Sequence, residues 1–200
     1  MSTKKDNKIK YNIKNVHYAL QTEGEDGGIT FATPVPIPGA VSVGFDASGD
    51  INTFYADGVA YYVSAANNGY EGDAEFALIP DSFRKDVLGE IEDEKGVLHE
   101  ADDSADLQKF AFLFEFDGDK KAVRRVLYNC TATRPGIESS TKEENIEPGT
   151  ETITISNKPL PDGRVKAQTK VDTDQTVYDG WYKTVYCPET IATAKMSLDK

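Results

Sequence analysis

The sequence predicts a mainly β fold, an antiparallel β-sandwich or barrel with one short flanking α-helix. Three observations predict it. Apolar and polar residues alternate with period two through much of the chain, as half-buried strands require. Turns rich in glycine and aspartate divide these alternating segments at short intervals. Only one short stretch combines a helix start signal with helical spacing of its apolar residues.

Length and charge predict one domain with appendages. With 200 residues, the chain can bury one core. We expect a basic arm over 1–10, a single β domain over 11–187 and a C-terminal tail over 188–200. The polar stretch at 138–149 is expected to be a loop of that domain.

The first half of the domain contains a proline-rich segment followed by three short strands. Prolines at alternate positions of 32–39 disfavour a central strand and favour an extended edge or covering position. From Val41 onwards, turns at 48–50 and 57–58 divide an alternating stretch into three strands. A fourth strand follows from Gly69, and its alternation places Phe76 and Leu78 in the core.

The predicted helix follows this strand. Asp81 or Ser82 is expected to cap its free N–H groups, and Gly89 is expected to end it. The apolar residues between these signals fall at helical spacing: Phe83, Val87 and Leu88. Because two turns of helix are not stable alone in water, the helix must pack on the sheet.

The stretch from Phe110 to Cys130 predicts a β-hairpin. Phenylalanines share one face of its first strand and are expected in the core: Phe110, Phe112, Phe114 and Phe116. In the second strand, strict alternation places Leu127 and Cys130 on opposite faces. Another strand follows from Thr150, with Ile153 and Ile155 buried, and a last candidate strand begins at Thr176.

The hairpin turn contains an acidic triplet: Asp117, Gly118 and Asp119. A calcium-binding loop starting at Asp117 would need glycine where Ala122 stands and a bidentate glutamate where Tyr128 stands. A tight turn in which Gly118 takes a positive φ explains the triplet more simply. We therefore expect no metal at this position.

The remaining residues predict neither catalysis nor a cofactor. His17 and His99 lack the spacing of a zinc or catalytic set. The carboxylates of 90–106 are typical of a solvated surface. Trp181 with Tyr182 suits a core, an interface or a sugar-stacking platform.

The cysteines and the N-terminal sequence bear on the compartment. Cys130 and Cys187 are expected to be separate thiols, because no apolar run of signal-peptide or membrane-span length follows the N-terminus. We accordingly expect synthesis in a reducing cytosol.

The charge is unevenly distributed. The formal net charge is −12, which disfavours tight nucleic-acid binding. Residues 1–14 nevertheless carry a balance of +4, because five lysines stand against Asp6, so the other residues carry −16. The arm lysines are Lys4, Lys5, Lys8 and Lys10. This segment is either a solvated tail or an arm that docks on an acidic neighbour.

An ordered series of segments resembles the major tail proteins of long, non-contractile-tailed bacteriophages of Gram-positive hosts. The segments include YNIKNVHYAL, TPVPIPGAVS, GYEGDAEFALIPDSFRKDVLGE and FAFLFEFDGDKKAVRRVLYNC. TETITIS, DGRVKA and GWYKTVY continue the series in the same order, so the resemblance covers most of 11–186. None of these segments is catalytic.

The resemblance implies a non-enzymatic tail-tube subunit. Such subunits form hexameric rings that stack into a tube, through which genomic DNA passes without specific binding. The resemblance implies a place in the virion, after assembly in the host cytoplasm, and no membrane partner. Further implied partners are the tape measure protein, the tail terminator and the distal tail proteins. The alternative is a carbohydrate- or surface-binding β-sandwich module that uses Trp181 and Tyr182.

The negative charge suggests a mechanism for this tube. An acidic lumen would repel the DNA duplex and let it slide, whereas a basic lumen would hold it through counterion release. The charge of −16 outside the first 14 residues motivates this hypothesis. A tube with a neutral or basic bore would contradict it.

Deletion of residues 1–10 tests the arm. We expect a folded monomer that polymerises poorly, because the arm is predicted to become ordered only against a neighbouring subunit. Circular dichroism checks the fold, and sedimentation velocity checks assembly. Tube formation equal to that of the full chain would assign these residues to a solvated tail.

Overall fold

The computed structural model describes residues 6–25, 27–101, 108–139, 141 and 148–188. Within these residues the chain forms strands β1 (Lys10–Glu23), β2 (Ile29–Phe31), β3 (Val35–Pro36), β4 (Ala40–Ser48), β5 (Ile51–Ala56), β6 (Val59–Ala65), β7 (Gly69–Phe76), β8 (Ile91–Glu92), β9 (Leu98–His99), β10 (Phe110–Gly118), β11 (Val123–Ala132), β12 (Glu151–Asn157) and β13 (Lys166–Gln168). The helices are α1 (Asp81–Asp86) and α2 (Gln175–Gly180). The predicted mainly antiparallel β fold is confirmed.

Nine strands form one open antiparallel sheet. Its order is β2-β1-β10-β11-β12-β7-β4, with β3 added beside β1 and β13 added beside β11. Two separate hairpins, β5–β6 and β8–β9, lie outside this sheet. The sheet curls over on itself, because Phe45 of β4 packs on Phe112 of β10 with ring centroids 5.9 Å apart.

The inner core fills the concave side of the curled sheet, and α1 covers it. Its buried residues are Val16, Tyr18, Ile37, Ala74, Phe76, Ile79, Phe83, Val87, Leu88, Phe110, Phe112, Phe114, Leu127, Cys130, Ala132, Ile153 and Ile155. The phenylalanines of β10 form a continuous series of ring contacts, from 5.4 Å to 6.4 Å between neighbouring centroids. The phenylalanines at alternate positions of β10 therefore share one face of the strand, and this face packs in the inner core.

The outer core lies on the opposite face of the same central strands. Its buried residues are Ala19, Ala111, Leu113, Val126, Tyr128, Leu160, Trp181 and Val185. The segment from α2 to Val185 covers this face, so the middle of the sheet is buried on both sides.

A β-bulge changes the expected alternation in β11. Phe110 pairs with Cys130 but Phe112 pairs with Leu127, so β11 contains one extra residue between these pairs. Asn129 adopts a φ of 49° there. The expectation that Leu127 and Cys130 lie on opposite faces is wrong, because the bulge returns Cys130 to the inner core.

The strand before α1 ends earlier than predicted. β7 stops at Phe76, and Leu78 is 67% exposed, so its predicted place in the core is wrong. Ile79, 2% exposed, occupies the core instead. The alternation cannot continue past Phe76 because the chain leaves the sheet there to enter the helix.

The start of α1 also differs from the prediction. Pro80 is the N-cap residue, and no side chain caps the helix, so neither Asp81 nor Ser82 has the expected role. The regular helix ends at Asp86, and the chain then reverses at Gly89, whose φ is 76°.

The segment from Thr176 is a helix rather than a strand, so the expectation of a single helix is wrong. Asp174 caps α2 by accepting hydrogen bonds from the N–H groups of Thr176 and Val177. This cap satisfies the free donors of the first turn. Turns over 181–183 then follow the helix, so the chain crosses the outer core without pairing as a strand.

The turn of the β10–β11 hairpin lies later than expected. Asp117 and Gly118 still belong to β10, where they pair with Tyr11 and Lys10 of β1. The bend begins at Asp119. Gly118 does not take a positive φ; a Cβ at this position would instead collide with Asn7.

Phe112→Ala tests the inner core. We expect a loss of about 3–5 kcal/mol in the free energy of unfolding, because the fully buried ring leaves a cavity. Leu78→Ala is the matched control and should change stability by less than about 0.5 kcal/mol. Urea denaturation measures both. Equal losses would contradict the described end of β7.

Candidate assembly surfaces

The β5–β6 hairpin exposes large apolar side chains on both of its faces. Phe54 pairs with Tyr62, and both rings are more than 60% exposed. Tyr61 is 72% exposed and points to the opposite face from Tyr62, because consecutive strand residues alternate. The other exposed apolar residues of the hairpin are Ile51, Tyr55, Val59 and Val63.

This exposure is unusual for a hairpin in water. A two-stranded hairpin is marginally stable alone, and contiguous apolar patches on soluble proteins mark interaction surfaces. The turn at Asp57–Gly58 is tight, with φ values of 52° and 78°. The hairpin therefore presents a defined apolar surface that the described part of its own chain leaves uncovered.

The β4 strand provides a second candidate surface. It is the last strand in the sheet order, so one of its edges has no strand partner within the described residues. The strand is nine residues long, and Asp46 is its one charged residue. Edges are normally protected by charge, proline or shortness, so a long edge of this kind suits pairing with another chain.

The acidic triplet binds the N-terminal segment of its own chain. Lys8 N–H donates to Asp119 Oδ1 at 2.7 Å and lowers the pKa of that carboxyl. Lys14 Nζ lies 2.6 Å from Asp117 Oδ1 and lowers the pKa of Asp117. Asn7 Nδ2 donates to the carbonyl of Lys121 at 2.6 Å.

The predicted arm is only partly described, and the expectation that it becomes ordered only against a neighbouring subunit is wrong for residues 7–10, which contact the β10–β11 hairpin of their own chain. Lys8 lies in the segment held by the turn, and Lys10 begins β1 with its ammonium 5.4 Å from the Phe116 ring centroid. Lys4 and Lys5 lie outside the described residues, as do position 140 and positions 142–147 of the predicted loop.

A buried ion pair fastens the C-terminal segment to the outer face of the sheet. Glu115 is 3% exposed, and its Oε2 accepts from Arg124 Nε at 2.9 Å. The guanidinium of Arg124 lies over the Tyr178 ring at 3.8 Å and donates to the Tyr178 carbonyl. Tyr182 O–H donates to Glu115, and burial raises the pKa of that phenol.

The two residues considered for sugar stacking belong to this buried region. Trp181 is 2% exposed, and its ring stacks on Tyr186 with centroids 5.6 Å apart. Tyr182 stacks on His17 at 4.6 Å. A sugar could reach the Trp181 ring only if the C-terminal segment left the sheet, so the structure gives no support to the sugar-binding alternative.

The other candidate groups are separated from one another. His99 contacts Asp93 at 3.1 Å on the β8–β9 hairpin, whereas His17, on β1, contacts the Asn15 carbonyl at 2.9 Å. Cys130 is a buried free thiol and Cys187 a partly exposed one. Among the described residues, no group of three or more His, Cys, Asp or Glu side chains is placed to hold a metal ion. No helix in the described part of the chain is long and apolar enough to cross a membrane.

Comparison with known proteins gives weak likenesses of fold. No family model and no curated protein matches the chain. A chain in the extended PVC sheath–tube complex of an extracellular contractile injection system is 13% identical, with a TM-score of 0.45, over 81% of this chain and 93% of that one.

Two chains of the anti-feeding prophage also match. One is in the baseplate and is 10% identical, with a TM-score of 0.46, over 86% of this chain and 99% of that one. The other is in the tube-terminating cap and is 13% identical, with a TM-score of 0.36, over 84% and 99%. Such low identities and TM-scores establish neither a shared family nor a shared function.

Replacement of His17 tests the packing of the outer face. Burial lowers the pKa of His17, outweighing the Asn15 carbonyl and Glu115, which both raise it. Because the unfolded chain then binds the proton more readily, the stabilising effect of neutral His17 is present above about pH 6.5 and is lost as the pH falls below it. His17→Gln should therefore lose less stability than the parent chain on acidification.

Urea denaturation at about pH 8 and about pH 5.5 measures this difference. The value at the higher pH is the internal control, since His17 is neutral there in both the folded and unfolded states. An identical loss in the two proteins would contradict the desolvation of His17 in the folded chain.

Proposed function

We propose that this protein is a structural subunit that assembles with copies of itself into the tail tube of a long-tailed, non-contractile phage. The observation that carries the proposal is the β5–β6 hairpin, whose large apolar side chains are exposed on both faces. The ordered sequence resemblance to major tail proteins supports the same conclusion and supplies the finer expectations: hexameric rings, stacking and passage of DNA.

Two kinds of contact are needed to build a tube. A ring closes through a head-to-tail interface, and stacking requires a second heterologous interface that does not close. The unpaired edge of β4 suits the first, because a neighbouring strand can extend the sheet. The hairpin suits the second, because it extends beyond the main sheet and exposes apolar side chains on both faces.

The remaining features fit a supporting role in assembly. Residues 7–10 of the basic arm contact the β10–β11 hairpin of their own chain, so Lys4 and Lys5 provide the further contact to an acidic neighbour. The excess carboxylates line the lumen so that DNA slides. The domain over 11–187 forms the wall of the tube. The ends of the tube bind the tape measure, terminator and distal tail proteins, and the protein acts without a cofactor or a catalytic step, first in the host cytoplasm and then in the virion.

A matched pair of double variants tests the hairpin. Ile51→Ser/Val63→Ser removes aliphatic side chains that are 74% and 57% exposed, and should raise the concentration needed for assembly about a hundredfold. The substitutions remove the apolar surface that Ile51 and Val63 bury against a neighbouring subunit on assembly. The monomer keeps its stability, because both side chains are exposed in it. Sedimentation velocity and negative-stain imaging measure the assemblies.

The control is Ile91→Ser/Val97→Ser on the acidic β8–β9 hairpin and the turn beside it. These side chains are 65% and 51% exposed and belong to the same two residue types. This variant should assemble like the parent chain. If the parent chain itself forms neither rings nor tubes at high concentration, the proposed function is wrong.

A further inference from the structure

A basic groove opens between β4 and the β10–β11 hairpin, at one end of the inner core. Its volume is about 640 Å³, and its apolar lining includes the rings of Phe45, Phe114 and Phe116. Pockets of this size accommodate a few side chains of a ligand rather than a whole structural element. The groove therefore suits the tip of a partner segment.

Three cations line this groove, and none of them forms an ion pair with a residue that the structure describes. The Lys10 ammonium and the Arg125 guanidinium each lie 5.4 Å from the centroid of the Phe116 ring. Lys166 Nζ lies 4.4 Å from the Tyr70 ring centroid and donates to the Tyr70 hydroxyl at 2.6 Å. Each described carboxylate that lies within 4.0 Å of a Lys or Arg side chain pairs with a residue other than these three cations.

Arg125 is the least satisfied of these groups. Its Nε atom is buried and has no hydrogen-bond partner among the residues that the structure describes. Desolvation lowers the pKa of the guanidinium, as expected for a half-buried cation that no described carboxylate pairs with. Asp46 and Asp73 also line the groove, but Asp73 accepts from Thr154 Oγ1 at 2.7 Å. A carboxylate brought in by a partner would satisfy the unpaired charge.

The tip of the β5–β6 hairpin has the matching chemistry. Asp57 occupies its turn, and the exposed ring of Tyr55 lies two residues before it. The charged residues between positions 50 and 66 are Asp50 and Asp57, so the hairpin carries acidic residues and no Lys or Arg. A tip with this composition provides both a carboxylate for the cations and an apolar ring for the phenylalanine floor.

We propose that the groove receives the hairpin tip of a second copy of this chain. Asp57 of one copy pairs with Arg125 and Lys166 of the next, and Tyr55 packs against Phe116. The proposal rests on the proposed function, and it names the surface that the hairpin binds. Because tip and groove are different surfaces, each copy keeps one of each free, and the contact propagates along a filament.

Cross-linking between two single-cysteine variants tests the contact. Asp57→Cys and Lys166→Cys are made in a Cys187→Ser background, which leaves only the buried thiol of Cys130. After mixing and mild oxidation, we expect a disulfide-linked dimer containing one copy of each variant, since bridging requires Cα atoms within about 7 Å. Asp57→Cys mixed with Lys183→Cys is the control, because Lys183 is exposed on the C-terminal segment that covers the opposite face of the sheet.

The outcomes separate this proposal from the proposed function. If tubes form without the Asp57–Lys166 cross-link, the proposed contact between hairpin tip and groove is wrong, and the groove has another occupant. The same conclusion follows if tubes form and the control pair gives an equal yield of cross-linked dimer. A specific cross-link without rings or tubes supports the groove and overturns the tube.

Charge reversal provides a second measurement. Arg125→Glu should raise the concentration needed for assembly about tenfold or more, and Asp57→Arg in the same chain should restore it. Circular dichroism checks that both variants fold. Failure of the second change to restore assembly by a folded protein counts against the Asp57–Arg125 pair.

Discussion

The series of phenylalanine rings on β10 is the contact on which the rest of the fold depends. Phe110, Phe112 and Phe114 fill the inner core, and Phe45 reaches them from β4 at the far end of the sheet. This contact holds the curl of the sheet, because β4 and β10 are not neighbours in the strand order. The other face of β10 presents Leu113 and Glu115 to the outer core, so one strand organises both sides of the domain.

The curl also separates the buried surfaces that stabilise the fold from the apolar surface that remains exposed. Residues that stabilise the monomer lie on the central strands, α1 and the C-terminal segment. Exposed large apolar residues concentrate instead on β5 and β6, and these two strands contribute none of the buried core residues. Substitutions on β5 and β6 can therefore change this exposed surface without removing contacts of the buried core.

Sequence patterns predicted the elements whose packing is regular. The alternation of β10 and β12 identified their buried faces, and the glycine turns at 48–50 and 57–58 divided β4, β5 and β6 as observed. Leu78 and Cys130 were misplaced because alternation reveals neither where a strand leaves the sheet nor where a bulge inserts a residue. The helix at 175–180 was missed because its strand-like composition concealed the cap at Asp174. The sequence FYADGVAYY leaves neither face of the hairpin polar, which is not the pattern of strands with one face in a core and the other in water.

The pairing of β1 with β10 has a consequence for the order in which the chain acquires structure. Lys10 pairs with Gly118, so this pairing waits for more than a hundred further residues of synthesis, whereas β2 and β3 can pair with β1 much earlier. A local hairpin such as β5–β6 closes within about 1–10 μs, whereas pairing across such a distance is slow. On the ribosome, the β5–β6 hairpin with its exposed apolar side chains is therefore complete while the pairing of β1 with β10 is still unformed. Nascent chains emerging side by side on one messenger thus expose the apolar faces of this hairpin early, which favours chaperone binding at this stage of synthesis.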